Sequence, residues 1–182
     1  MKSLKVTAAL AALVVMGCAT DGSTGLRPDV ARSANAELSR PFTARQIAYA
    51  VAPTGVTCPA GTIPGLENNS GVGTGLGNYT GQAWTCIAFT SPSTFNFVSS
   101  ENHVVAANGD ELVFTLVHGA GGLRPNRRGL GLYYVIEYDI TGGTGRFAGA
   151  TGRVTVTGGK EIASPVNPSY SDIVGTISLA QY

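Results

Sequence analysis

At 182 residues, 13% of them charged and 43% hydrophobic, with a net charge of +1, the chain has the size of one compact domain and no surplus of Lys and Arg. A nucleic-acid partner would call for a basic face, so the composition argues against one.

Lys2 and Lys5 precede an apolar run, residues 6–16, that stops at Gly17-Cys18. A membrane-crossing helix needs roughly 20 apolar residues. This run is shorter and has positive charge before it and small residues after it, which is the layout of a signal peptide over residues 1–17. Val15-Met16-Gly17-Cys18 resembles the bacterial lipobox, in which the cysteine becomes the acylated first residue of the mature protein. The alternative is an ordinary secretory signal cut near Ala19. With each buried methylene contributing about 0.8 kcal/mol, more than one acyl chain at Cys18 makes a stable membrane anchor without a span. Ala19 is not the aspartate of an inner-membrane retention signal, so the expected location is the cell envelope, at the outer membrane if the cell is diderm.

Residues 18–41 are polar and small, with Gly22, Gly25 and Pro28 and no sustained apolar period, and read as a flexible tether. A short helix is conceivable over 30–38. The folded domain is expected over 42–182, where short apolar runs alternate with turn residues and no long helical period appears. Export leaves Cys58 and Cys86 as an even pair in an oxidising compartment, and a disulfide is expected between them. Closing that loop stabilises the fold by roughly 3 to 4 kcal/mol through chain entropy. Neither cysteine has a second cysteine or a histidine close by, so the spacing excludes a CxxC redox motif or a zinc site.

In "ENHVVAANGDELVFTLVHG", Asn108-Gly109 predicts a type I′ turn between two strands. If Ala107 pairs with Asp110, His103 lies opposite Phe114, Glu101 opposite Leu116 and Ser99 opposite His118, all on one face with Val105 and Leu112. Glu101 and His103 are then the candidate acid–base pair, and a solvated, hydrogen-bonded rim pair is the structural alternative. His103 and His118 fall too far apart along this ladder to share a metal, so no metal or cofactor is expected. Arg124, Arg127 and Arg128 sit among glycines and Pro125 and read as a solvated loop tip rather than an anion site.

The next strand, residues 132–140, places Tyr134, Ile136, Tyr138 and Ile140 on one face and Tyr133, Val135, Glu137 and Asp139 on the other. Phe114, Leu116, Tyr134 and Tyr138 are the candidate ligand-lining residues. Gly143, Gly145 and Gly149 then form a backbone corner with Phe147 turned inward. The stretch "GLGNYTG" at 75–81 repeats the pattern of "GTGRFAG" at 143–149. A phosphate loop is excluded because both copies lead into β-patterned residues.

Taken with "TGLGNYTGQAWTC" and "AANGDELVFT", the stretch "YDITGGTGRFAGATGRVTV" resembles the superfamily shared by allene oxide cyclases and dirigent proteins, nearest to its secreted bacterial members. The resemblance, over roughly Gly73 to Val156, implies an all-β fold, a closed antiparallel barrel of about eight strands with an apolar lumen. It also implies a homotrimer, as in the plant relatives. The plant families' cavity residues find no matching positions here. The expected function is a barrel that holds a small apolar ligand. The alternatives are an isomerase or cyclase acting on an apolar oxygenated substrate, and a non-catalytic structural or interaction role in the envelope.

Overall fold

Side chains that alternate inward and outward organise the domain into eight strands, seen in a computed structural model that describes residues 39–127, 129–162 and 167–180. The expected signal peptide, Cys18, the tether up to residue 38 with its helix candidate, and Arg128 lie outside the described residues. The strands are β1 (Ser39–Val51), β2 (Ile63–Gly73), β3 (Gly77–Ser91), β4 (Thr94–Ala106), β5 (Glu111–Asn126), β6 (Gly129–Gly143), β7 (Thr151–Glu161) and β8 (Ser169–Ser178). Each pairs antiparallel with the next and β8 closes on β1, so the sheet is an eight-stranded closed barrel. Closure leaves no unpaired edge at the first and last strands. β1 begins at Ser39 rather than at Phe42: Ser39, Arg40 and Pro41 are exposed, yet they pair with Ser178, Ile177 and Thr176. Apolar patterning marks where burial starts, and the ladder starts earlier.

The two ends of the barrel differ. The connections β2–β3, β4–β5 and β6–β7 gather at one end, where Phe42, Leu76, Phe114, Phe147 and Ile177 join a continuous buried core. The longer loops after β1 and β7 lie at the other end. Among them, Cys58 is bridged to Cys86 with a Cα–Cα distance of 5.6 Å, the disulfide expected from the sequence. Cys86 stands between the lumen-lining Thr85 and Ile87, so its side chain leaves the barrel outward, and it is fully buried there.

The hairpin at Asn108-Gly109 forms, but not with the expected turn. Ala106 N–H donates to Asp110 O at 2.9 Å and Gly109 N–H donates to Ala106 O at 2.9 Å, with Gly109 at φ +89°. The loop is therefore Ala107-Asn108-Gly109, a turn closed by a left-handed glycine, and not a two-residue type I′ turn. The register moves by one residue: His103 faces Val113, Asn102 faces Phe114 and Glu101 faces Thr115. A one-residue slip turns every side chain to the opposite face of its partner strand. Val104, Ala106, Leu112 and Phe114 enter the core, while Glu101, His103 and Val105 are on the outer wall. Ser99 and His118 fall where the β4–β5 ladder is interrupted.

On β6 the expected faces are present, with Ile136, Tyr138 and Ile140 buried and Tyr133 and Val135 exposed. Phe147, in the 3-10 turn Gly145–Phe147, is 2% exposed. Gly145 holds φ +53° with the Asp110 carboxylate against it, and Gly143 is held beneath the Glu111 carbonyl without a left-handed φ. The two glycine-aromatic copies share a left-handed glycine two positions before a buried aromatic, Gly77 with Tyr79 and Gly145 with Phe147. They differ otherwise, since the first opens strand β3 and the second forms the 3-10 turn.

Candidate functional site

At the open end the inward side chains do not fill the barrel, and a cavity of about 280 Å³ remains. Phe95 and Phe97 of β4 and Leu132 of β6 supply an apolar wall. Their rings pack edge to face, Phe95 to Phe97 at 5.5 Å and Phe97 to Tyr134 at 6.0 Å between centroids. Glu67 of β2, Tyr134 of β6, Lys160 of β7 and Ser169 of β8 also line the cavity. Each arrives by the period of two, which brings alternate residues of every strand to the lumen.

These polar groups are held by hydrogen bonds. Ser169 Oγ donates to Glu67 Oε1 at 3.1 Å, and the Tyr134 hydroxyl meets Ser171 Oγ at 2.8 Å. Deeper, Ser100 Oγ donates to the Trp84 carbonyl at 2.9 Å and therefore accepts from the Tyr138 hydroxyl at 2.7 Å. Asn69 Nδ2 donates to Asn102 Oδ1 at 2.9 Å, while the buried Asn69 Oδ1 has no partner among the described residues. Burial pushes both phenols up to about 12, with nearby Glu67 adding to the effect at each. Tyr134 and Tyr138 are thus neutral donors and acceptors near neutral pH and not bases. Among the described residues lining this cavity Glu67 is the carboxylate and Lys160 the amine, the two side-chain types there suited to proton exchange with a bound molecule.

The expected site residues divide. Tyr134 and Tyr138 line the cavity, whereas Phe114 lies in the core of the closed end and Leu116 packs against that core beside a gap in the wall. Glu101 and His103 do come together, but outside the barrel, where the one-residue register shift puts them. His103 Nε2 lies 2.6 Å from Glu101 Oε1, and its Nδ1 lies 2.5 Å from Glu111 Oε1. The hydrogen bond to Glu101, reinforced by that to Glu111, holds the imidazole pKa above its ordinary value against a partial loss of solvent. With both ring nitrogens committed to carboxylates on an outer wall, this triad is a cross-strand clasp between β4 and β5. Among the described residues, no three His, Cys, Asp or Glu side chains are placed to hold a metal ion.

Sequence reasoning missed Glu67, Lys160, Phe95 and Phe97. The alternation in "TFNFV" was the available signal for the two phenylalanines. Glu67 sits in "GLENNSGVG" and Lys160 follows Gly158-Gly159, polar and glycine-rich settings with no apolar contrast to reveal an inward face.

No protein-family model matches the chain, and no curated protein matches it. Among solved structures, the chain is similar to the pterocarpan synthase dirigent protein GePTS1, at 11% sequence identity and a TM-score of 0.45, over 79% of this chain and 87% of that chain.

Proposed function

We propose that this protein is a lipid-anchored barrel of the cell envelope that binds a small, largely apolar ligand bearing a hydrogen-bonding group in its open-end lumen. The observation that carries the reading is the unfilled cavity itself: Phe95, Phe97 and Leu132 offer apolar contact while Glu67, Tyr134 and Lys160 converge on the same space. An apolar pocket with a few placed polar groups is the usual form of a small-molecule site. Native mass spectrometry of the protein purified from its own host, with solvent extraction, tests it by revealing a retained small molecule. Binding of the neutral fluorophore N-phenyl-1-naphthylamine supplies a second measure, and Thr85→Trp, which fills the lumen from β3, is expected to abolish it. No retained molecule and no dye binding would turn the reading toward a structural or interaction role.

Glu67 supports a second reading, an isomerase or cyclase in which this carboxylate takes or gives a proton beside neutral tyrosine donors. Glu67→Gln separates the two. A binding module keeps its ligand with altered affinity, whereas an enzyme retains the ligand and loses turnover.

A further inference from the structure

One ladder of the barrel is incomplete. Between β4 and β5, pairing stops at Asn96 with Ala120 and resumes at Glu101 with Thr115, in unchanged register. Residues 97–100 and 116–119 therefore face one another without ladder pairing. The other seven ladders show at most single-residue irregularities. Two of those irregularities flank the gap: β4 bulges at Val98 against β3, and β5 bulges at Val117 against β6. Bulges bend a strand away from regular pairing, and backbone groups without ladder partners forgo stabilisation, so the paired bulges ask for a reason.

The gap forms a slit in the wall. A cavity of about 510 Å³ occupies it. Its lining joins Trp84 and Val117 of the outer surface to Phe97, Ser100, Leu116 and Gly119, which face the interior. Val98 and Val117, 47% and 40% exposed, give the slit an apolar lip on each strand, beside Glu101 and His118. Phe97 lines both the slit and the lumen cavity. Its ring lies across Gly119, where an added Cβ would meet Phe97 Cδ2 at 2.9 Å. The Phe97 ring thus borders both the slit and the lumen, and the glycine beneath it leaves the ring room to lie there.

We propose that the β4–β5 slit is a lateral entrance to the lumen, closed by the Phe97 ring, through which an apolar ligand passes without crossing the loops of the open end. The proposal rests on the ligand-binding reading of the lumen. Ring rotation at Phe97 opens a path along Leu116, Val117 and Val98, whose side chains suit an apolar molecule, with Glu101 and His118 also in the lining.

The test is stopped-flow binding of N-phenyl-1-naphthylamine to the full chain. Ser99→Cys and Val117→Cys, opposite each other across the slit, are joined by a short bis-maleimide, which leaves every lumen side chain unchanged. The joined protein is expected to bind and release the dye about tenfold more slowly than the unjoined double variant, with Kd within about twofold. Phe97→Ala, which needs no cross-link, is expected to raise both rates. Unchanged rates in either experiment overturn the entrance while the lumen site stands, and assign passage to the open end. Failure of wild type and both variants to bind the dye overturns the lumen reading, and the entrance with it.

Discussion

Gly145 and Phe147 lie two residues apart and are constrained for different reasons, so their substitution separates backbone strain from packing. At φ +53° and against the Asp110 carboxylate, Gly145 admits no β-branched side chain without strain, and Gly145→Val is expected to cost at least about 1 to 3 kcal/mol. Phe147 is 2% exposed within the closed-end core, and Phe147→Ala is expected to cost roughly 3 to 5 kcal/mol through lost burial and a cavity. Thermal unfolding beside wild type measures both, and two unshifted melting curves would remove the structural role assigned to this corner. His103 makes a different kind of prediction. Its imidazole pKa is held above the ordinary value by Glu101 and Glu111, so the protonated form stabilises the native state. That contribution is complete below the unfolded histidine pKa and is lost as pH rises through the higher folded one. Because the side chain is 41% exposed, the effect is small. The gap in melting temperature between wild type and His103→Gln should be widest near about pH 5.5 and close on the alkaline side; a gap that widens with pH would contradict the clasp.

Strands were legible where apolar and polar residues contrast. Ile136, Tyr138 and Ile140 alternate with Glu137 and Asp139, and their inward face follows directly. β2 offers no such contrast, since Asn69 is buried and Glu67 lines the lumen among glycines and asparagines. A polar interior therefore hides its own strands, and the candidate site was hidden with them. The β4–β5 hairpin shows the other limit: Asn108-Gly109 is compatible with a two-residue or a three-residue loop, and that one residue decides whether His103 meets the lumen or the solvent. Residue pattern located the hairpin, while the choice between its loops depended on what the resulting faces could pack. The disulfide joins elements that the ladders do not, holding the loop after β1 to the outside of β3 beside the lumen mouth, to which Val51 and Pro53 contribute. Replacing Cys58 and Cys86 by serine is expected to lower stability by roughly 3 to 4 kcal/mol. Urea unfolding checks it: the midpoint should fall, and the slope should rise because the unfolded chain without the cross-link exposes more surface. An unchanged midpoint would mean that the loop is held by packing alone.

At the scale of the whole molecule, the barrel has a packed end and an end that holds a cavity, and its outer wall bears on the proposed membrane attachment. That wall carries ion pairs between neighbouring strands, Arg45 with Asp172 at 3.0 Å and Arg153 with Asp139 at 2.8 Å and with Glu137 at 3.0 Å. Charged side chains on a lipid-facing barrel wall are costly, by about 2 to 4 kcal/mol for Arg at the bilayer midplane. Strands bearing these pairs are better matched to water, so in the proposed reading attachment falls to acyl chains at Cys18 and not to the barrel. Cys18→Ser is then expected to prevent acylation and to move the protein from the detergent phase to the aqueous phase on partitioning, with the fold and dye binding retained. The contrast with the disulfide variant is useful, because loss of the anchor changes location without changing the unfolding midpoint. A Cys18→Ser protein that stays with the membrane in the absence of lipid would place the attachment in the tether or on the barrel surface, and the charged outer wall would then need a partner other than water.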